Sequence, residues 1–180
     1  AFRNAKKLSA MDIIGHKLQW NLLLKLLTGD RMPQAFLFTG DSSLGKRKVA
    51  LEFIKMLNCE KRFQKPFLSK PCLVCSPCLL IENKKHPDFI TIEPREKEIQ
   101  IDQIRDLQKW LSFKTQLSSF KLALIEDAEA LNTAAQNCFL KTLVEPKGKT
   151  IFFLITAHPE MLFKTIRSRC EELKFYPVSS

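Results

Sequence analysis

The chain has no long apolar run and comparatively few acidic side chains. No stretch approaches the roughly 20 apolar residues that cross a bilayer, and no apolar segment of a signal peptide follows residues 1–7. We therefore expect a cytoplasmic protein with no membrane partner. The 180 residues include 29 Lys and Arg against 19 Asp and Glu, a formal net charge of +10. This charge suits an acidic partner or nucleic acid, or a solvated surface, but the basic residues are scattered and predict no dedicated nucleic-acid reader.

Glycine is also scarce, with 5 residues, and Gly40 and Gly45 bound one loop. This loop continues into Lys46 and Arg47, follows the apolar run 35–39 and precedes a helical pattern. The order of strand, G-x-x-x-x-G-K loop and helix is typical of phosphate binding, because loop amides and a helix N-terminus face the anion. Arg47 stands where a hydroxyl would ligate Mg²⁺, so Mg²⁺-dependent hydrolysis is not expected. Binding of ATP or ADP without hydrolysis, or a plain turn with no ligand, both remain open.

Six cysteines in a cytosolic chain favour metal binding or catalysis over disulfides. Cys72, Cys75 and Cys78 form two overlapping C-x-x-C steps, and Cys59 at the end of the preceding helix can complete a tetrahedron. Four thiolates suit structural Zn²⁺, with an iron–sulfur cluster as the alternative. We predict a zinc module over residues 59–78 that stabilises the fold. A redox dithiol of Cys72 and Cys75 is a further alternative, and Cys138 is expected to be a core thiol.

Apolar runs alternate with helical patterns, which predicts a doubly wound α/β fold with a parallel five-stranded sheet. The run 121–125 is almost entirely apolar and should lie inside that sheet. The first helix should turn Leu18, Leu22 and Leu26 towards the sheet. The predicted strands are 35–39, 88–92, 121–125, 151–156 and 173–176, and the predicted helices are 14–27, the segment after Gly45, 101–111, 133–144 and a short helix at 159–165.

Polar residues follow two more of the predicted strands. Glu126 and Asp127 come after the third strand, and Thr156 closes the fourth. In a doubly wound sheet these residues meet the phosphate loop at one edge. There the carboxylates could hold Mg²⁺ and polarise water while Thr156 senses a γ-phosphate. Asp127 could instead simply cap a helix.

Six parts of the sequence carry recognisable motifs: Gly40 to Lys46, the four clustered cysteines, 86–88, 101–105, 131–146 and 165–170. Together they resemble one family, the clamp-loader subunits of bacterial DNA polymerase III, which belong to the AAA+ class. Within that family, His-Pro-Asp followed by Ile-Asp-Gln-Ile-Arg is more similar to a partner-facing subunit than to the gamma/tau ATPase.

The resemblance implies an AAA+ core over residues 1–177, with a helical lid and a collar expected beyond residue 180. It also implies a stator-like place in a five-subunit ring, with gamma/tau and delta as partners and primer-template DNA met through the complex. Arg169, in Ser168-Arg169-Cys170, would act in trans on a neighbour's ATP, an effect of about 10³–10⁵ in rate in related systems. Arg167 could be the reaching residue instead, or Arg169 could pair with Glu171 or Glu172.

One departure concerns the chain's own phosphate site. The family's ATP-hydrolysing members carry Asp-Glu after the third strand, whereas the order here is Glu126-Asp127. A displacement of about one methylene in each carboxylate disturbs the positioning of water. The expected function is therefore a clamp-loader subunit without its own hydrolysis. The alternatives are an ATPase of gamma/tau type and a zinc-containing nucleic-acid-binding module.

Overall fold

The structure is a computed structural model that describes residues 15–29, 31–62, 64 and 68–177. Residues 1–14 of the predicted core domain lie outside the described residues. The strands are β1 (Ala35–Thr39), β2 (Phe89–Ile92), β3 (Lys121–Ile125), β4 (Thr150–Thr156) and β5 (Glu171–Lys174), and the helices are α1 (Lys17–Thr28), α2 (Lys46–Asn58), α3 (Ser76–Glu82), α4 (Ile101–Ser112), α5 (Thr133–Val144) and α6 (Lys164–Arg167), with 3₁₀ turns at Ala128–Ala130 and Pro159–Met161.

The strands form one parallel sheet in the order β2-β3-β4-β1-β5. Every residue of β1, β3 and β4 is buried, which explains why these strands are apolar almost throughout. The carboxyl ends of all five strands lie at one edge, called here the carboxyl end of the sheet, and their first residues lie at the amino end. The predicted parallel α/β sheet is confirmed, with β3 inside it.

Alternate strand residues build two cores on opposite faces of the sheet. On one face the rings of Phe36 and Phe153 stack with centroids 5.2 Å apart, and Phe53 of α2 meets both edge-on. On the other face Phe139 of α5 packs edge-on against Phe152 at 5.3 Å. Helices therefore cover both faces, as a doubly wound fold requires.

The prediction of which face of α1 packs against the sheet was wrong. Gly15 is a turn residue and the helix begins only at Lys17, while residue 14 is outside the described residues. Leu18 is 70% exposed and Leu22 is 44% exposed, whereas Trp20 and Leu23 are buried. The Trp20 ring packs edge-on against Phe53, and its Nε1 donates a hydrogen bond to the carbonyl of Ser69. Burial of this large ring sets which side of the helix faces the sheet.

Two C-terminal elements also differ from the predictions. The segment 159–165, predicted as one helix, is a 3₁₀ turn followed by α6. The Gln136 side chain interrupts it, because its amide donates to the Met161 carbonyl and accepts the Phe163 N–H at the junction of the two elements. Strand β5 covers Glu171–Lys174 instead of 173–176, and only its Leu173 is buried. An edge strand needs little apolar sequence, so its hydrophobic pattern is a weak guide to its bounds.

The remaining findings concern the helices. Helix α3 was not predicted, since it has only 7 residues and begins inside the cysteine cluster. Within the part of the chain that the structure describes, no helix has the length and apolarity needed to cross a membrane.

Candidate functional site

The glycine-bounded loop lies at the carboxyl end of β1 and leads directly into α2. Gly40 has φ +135°, and a Cβ there would lie 2.4 Å from the carbonyl oxygen of Phe175, so no other residue fits this position. Gly45 caps α2 with φ +78°, and Ser43 also has a positive φ of 66°. The predicted strand, loop and helix are therefore present, and the loop has the tight shape that brings its backbone close to a ligand.

Lys46 is buried beneath this loop. Its Nζ donates to the carbonyl oxygens of Gly40 at 2.5 Å and Asp41 at 2.7 Å, and only 6% of the residue is exposed. Burial lowers the pKa of Lys46, and the nearby carboxylates, with Glu129 foremost, partly oppose that shift. The ammonium group thus stabilises the loop's own carbonyls.

Arg47 reaches across the mouth of the loop to the end of β3. Its Nε lies 2.6 Å from Oε1 of Glu126, with the two side chains 45% and 18% exposed. The structure thereby joins two residues that the sequence placed at the same edge. A Mg²⁺ ion bound beside this pair would need oxygen ligands, and a guanidinium offers none.

The other predicted residues of this edge have local roles. Asp127 has a left-handed backbone with φ 46° and precedes the turn Ala128–Ala130. Thr156 is buried, and its Oγ1 accepts a hydrogen bond from the His158 N–H at 3.0 Å. Its hydroxyl therefore closes the turn after β4.

Two residues at this edge were missed by the sequence interpretation. Glu129 accepts the Ala157 N–H at 3.0 Å, which links the turn after β3 to the end of β4. The acidic run from Glu126 to Glu129 was the available signal. His16 is buried against the loop, and its Nε2 lies 2.5 Å from the Leu44 carbonyl oxygen. No local pattern marks His16, because its partner is 28 residues away in the chain.

A cavity of about 550 Å³ opens over the loop and is lined by residues 42–48, Glu126 and Asp127 among others. Loop amides and the start of α2 could face an anion there. Lys46 and Arg47 are both already bonded within the protein. The cavity can therefore admit a small anionic group, but its residues do not present the metal ligands that hydrolysis needs.

Arg169 lies at the other end of the sheet. It precedes β5, whose residues Glu171–Lys174 pair in register with 36–39 of β1. Four paired residues at ~3.3 Å each separate Arg169 from the loop after β1 by roughly 10 Å or more. The side chain is exposed, and its Nη1 donates to the Thr165 carbonyl at 2.8 Å.

The alternatives for this arginine can be compared directly. Among the described residues Arg169 forms no ion pair with Glu171 or Glu172, and Glu172 accepts the Thr39 hydroxyl at 3.0 Å. Arg167 is half-buried, and its Nε is buried without a hydrogen-bond partner in the described part of the chain. Of the two arginines, Arg169 is the one that projects into solvent.

The four clustered cysteines also meet near the amino end. Their Sγ atoms all lie within 4.8 Å of one another, with Cys59, Cys75 and Cys78 buried and Cys72 half-buried. Tetrahedral sulfur ligands at about 2.3 Å from a metal ion are about 3.8 Å apart, so the cluster fits one ion after small movements. This geometry brings Cys59 to the other three despite the 12 intervening residues.

The electrostatics of the cluster also suit a metal ion. Burial, together with the Cys75 side chain, strongly raises the pKa of the Cys78 thiol. Burial opposes ionisation of Cys72 as well, but backbone N–H groups and neighbouring thiols lower its pKa to about 7. One thiolate thus forms readily while a buried thiol beside it stays protonated. A cation in the centre would remove this conflict, because metal binding displaces the thiol protons.

Comparison with known proteins identifies the family of the chain. A family described as "DNA polymerase III, delta subunit" matches residues 15–179. The delta' subunit of Pseudomonas aeruginosa is 40% identical over 138 residues, 76% of this chain and 41% of its own length. The delta' subunit of Bacillus subtilis is 37% identical, over 87% of this chain and 46% of its own. The tau subunit of Bacillus subtilis is 32% identical, over 94% of this chain and 29% of its own length.

Solved structures show the same fold at lower identity. A gamma-subunit-related protein of DNA polymerase III from Thermotoga maritima has a TM-score of 0.61 and 24% identity, covering 87% of this chain and 45% of its own. A RuvB variant from the same organism has a TM-score of 0.52 and 15% identity, covering 89% and 45%. These neighbours have the AAA+ fold. The chain spans less than half the length of the curated relatives it matches. On the family match and the relatives' identity, the chain belongs to the delta' subunits of DNA polymerase III.

Proposed function

We propose that this chain is the core of a clamp-loader subunit that does not hydrolyse ATP and instead lends Arg169 to a neighbouring ATPase subunit. The ring would contain gamma/tau and delta subunits and would place a sliding clamp on primed DNA. The observation that carries the proposal is the separation between Arg169 and the phosphate loop, which lie at opposite ends of one parallel sheet. A residue at the amino end cannot serve the chain's own loop, so its phosphate partner must belong to another subunit.

The state of the loop supports the absence of hydrolysis. Lys46 is bonded to loop carbonyls, and Arg47 is paired with Glu126. An attacking water would need a metal ion and a free carboxylate at this position. The Arg47–Glu126 pair uses the carboxylate and places a positive charge where the ion would bind. Internal partners thus replace the ligands of an active site.

The mechanism proposed for Arg169 is electrostatic. Ser168 and Arg169 follow α6, where the Ser168 Oγ and the Arg169 Nη1 both bond the Thr165 carbonyl. The bond from Nη1 orients the Arg169 guanidinium at the end of α6 in the free subunit. A pre-positioned cation stabilises charge that develops on a γ-phosphate without reorganising during the reaction.

The cysteine cluster would hold one structural zinc ion. Cys59 lies at the end of α2, and Cys75 and Cys78 lie at the start of α3. The ion would cross-link these two helices, and with all four ligand positions filled by sulfur it would leave no place for water. Its proposed role is therefore stability. Lys55 reinforces the same junction by pairing with Glu52 of α2 and Glu82 of α3.

The test uses the full-length protein in a ring reconstituted with gamma/tau-type and delta-type subunits, clamp and primed DNA. We expect Arg169→Ala to reduce ATP hydrolysis at the neighbouring site by about 10³-fold or more. Arg169→Lys should restore only part of the rate, because an ammonium lacks the planar fork. Lys164→Ala, an exposed cation of α6, is the matched control and should leave the rate unchanged.

Two results would contradict the proposal. Unchanged hydrolysis in an assembled Arg169→Ala ring would remove the trans role. Steady Mg²⁺-dependent turnover by the isolated full-length protein would instead favour an ATPase of gamma/tau type.

A further inference from the structure

A second concave site, remote from the phosphate loop, lies at the amino end of β3 and β4. It is a cavity of about 690 Å³ between the loop after α4, residues 113–120, and the turn before β4. We call it the lysine cavity. Its lining contains 4 lysines and no carboxylate, namely Lys114, Lys121, Lys147 and Lys149 together with the hydroxyls of Ser112, Thr115 and Ser119.

The turn on one side of the cavity is held in place by its backbone. Gly148 has φ +68° and open space around it, so the chain reverses sharply between Lys147 and Lys149. The Thr150 hydroxyl donates to the Lys147 carbonyl at 3.1 Å, and the Lys121 N–H donates to the Lys149 carbonyl at 2.8 Å. Both exposed lysines therefore project from a turn that is joined to the sheet.

The opposite wall is anchored by one buried carboxylate. Asp88 is fully buried and accepts the backbone N–H groups of Gln116, Leu117 and Ser118 at 2.7–2.9 Å. These bonds fix the loop that carries Lys114. An anionic ligand would find the cationic side chains already supported by rigid backbone, which reduces the entropy lost on binding.

The charges of the cavity are open to a ligand from outside. Lys121 already has partners within the protein. Its Nζ donates a hydrogen bond to the Trp110 carbonyl and lies 4.1 Å from the centroid of the Trp110 indole ring. Lys114, Lys147 and Lys149 are exposed, and within the described residues none of them forms an ion pair. The nearby Glu145 lines a neighbouring cavity that shares Lys147.

An aromatic side chain completes the site. Phe113 lines the cavity and is 67% exposed, although burial is the usual state of phenylalanine. Leu117 on the same loop is 60% exposed. An exposed ring beside cationic side chains is the combination that binds single-stranded nucleic acid, because phosphates meet the cations and a base stacks on the ring.

We propose that the lysine cavity binds a single-stranded segment of nucleic acid, with phosphates at Lys114, Lys147 and Lys149 and a base on Phe113. The open cavity leaves room for a sugar–phosphate chain beside the three hydroxyl side chains, and no carboxylate of the lining repels it. A single strand is favoured over a duplex because a duplex keeps the faces of its bases stacked inside. The site goes beyond the proposed function, since neither Arg169 nor the phosphate loop takes part.

The test measures fluorescence anisotropy of a labelled oligodeoxythymidylate of about 12 nucleotides with the full-length protein. We expect the triple change of Lys114, Lys147 and Lys149 to Glu to weaken binding by at least about tenfold. The slope of log affinity against log salt should become shallower by about 2, as expected for three lost phosphate contacts on a single strand. A triple change to Gln should act in the same direction, and thermal unfolding should show that both variants fold.

A charge-matched control separates the cavity from the general basic surface. Changing Lys17, Lys25 and Lys85 to Glu alters the net charge by the same amount at exposed positions elsewhere. An equal loss of affinity in this control would overturn the proposal, since it would show attraction by net charge alone.

Two further arms test the kind of ligand. Phe113→Ala should weaken binding of the oligonucleotide by at least about fivefold and leave the salt slope unchanged. Tighter binding of a duplex of the same length, or displacement of the strand by an equal concentration of inorganic pyrophosphate, would overturn the assignment to a single strand. ATP hydrolysis of the ring provides the independent check on Arg169, so failure here leaves the proposed function separately testable.

Discussion

The two ends of the sheet differ in whether their charged side chains have partners within the protein. At the carboxyl end, where the sequence has the features of a nucleotide site, Lys46 is bonded to loop carbonyls and Arg47 to Glu126. At the amino end, Arg169 and the exposed lysines of the lysine cavity have no acidic partner among the described residues. The two cations of the phosphate-loop motif are therefore bonded within the protein, whereas Arg169 and the exposed lysines at the amino end face outward.

The amino end is held by contacts between segments that are distant in the chain. Helix α2 runs back from the phosphate loop and ends at Asn58, whose Oδ1 accepts the Ser118 hydroxyl of the loop anchored by Asp88. The cysteine cluster begins at the next residue. A rigid support keeps a charged group in the position from which it acts on a partner. This support is consistent with the proposal that Arg169 and the lysine cavity contact partners from the amino end.

The largest effect on stability should come from the cysteine cluster. Cys75→Ser should lose the metal ion and cost roughly 3–5 kcal/mol of unfolding free energy, a part of the ~10–16 kcal/mol with which structural zinc binds in small peptides. Elemental analysis of the purified protein should find one zinc per chain before the change and almost none after it. Denaturant unfolding gives the free energy.

Cys138→Ser is the matched control for this change, because that thiol is half-buried on α5 and outside the cluster. It should retain the metal and cost less than about 1.5 kcal/mol. Reduced protein that contains no metal, or an equal loss of unfolding free energy in both variants, would show that no metal ion stabilises the amino end.

A smaller effect is expected from the carboxylate that anchors the lysine cavity. Asp88→Ala should cost about 2–4 kcal/mol, because it leaves three N–H groups of the 116–118 loop without the acceptor that they share. Asp106→Ala removes an exposed carboxylate of α4 and should change stability by less than about 0.5 kcal/mol. Urea unfolding of the two variants measures both values.

Stability should also depend on pH through Asp88. Burial alone raises its pKa, but the N–H bonds of the loop and the charge of Lys121 outweigh it and hold the pKa below its ordinary value. The stabilisation is therefore fully present above about pH 4 and is lost as pH falls through the lower folded-state pKa. The Asp88→Ala protein should show a weaker loss of stability in acid, and parallel pH profiles for the two proteins would contradict this assignment.

The smallest effect on stability should come from the carboxyl end. Arg47→Ser breaks a partly exposed ion pair and should cost less than about 1 kcal/mol. The same change frees Glu126 and adds a hydroxyl, so Mg²⁺–ATP should bind about tenfold more tightly, a gain of about 1.4 kcal/mol. Hydrolysis should still be absent, because the Glu126–Asp127 order is unchanged.

Lys48→Ser removes a cation from the same cavity without touching the ion pair and serves as the control. Titration calorimetry with and without Mg²⁺ separates the two variants. Equal binding of Mg²⁺–ATP by Arg47→Ser and the unchanged protein would show that Arg47 does not close the site, and the contrast between the ends would disappear.

Much of the fold could be predicted because its signals are local. The buried strands β1, β3 and β4 are apolar runs, and the G-x-x-x-x-G-K loop and the cysteine spacing stand in short segments. The rotation of α1 could not be predicted, since leucines occupy several sides of that helix and burial of Trp20 decided between them. The pairing of Arg47 with Glu126 joins residues 79 apart, a distance that no local pattern records.

By itself the sequence determined the parallel α/β architecture, the convergence of four cysteines and the absence of a hydroxyl after Lys46, since each depends on residue types at short spacing. Only the tertiary structure decided which charges are neutralised and which remain available. It placed Glu126 against Arg47 and gathered lysines from two distant segments, which look scattered along the chain, around one cavity. Electrostatic interactions depend on distance in space, and folding sets those distances through the packing of the sheet.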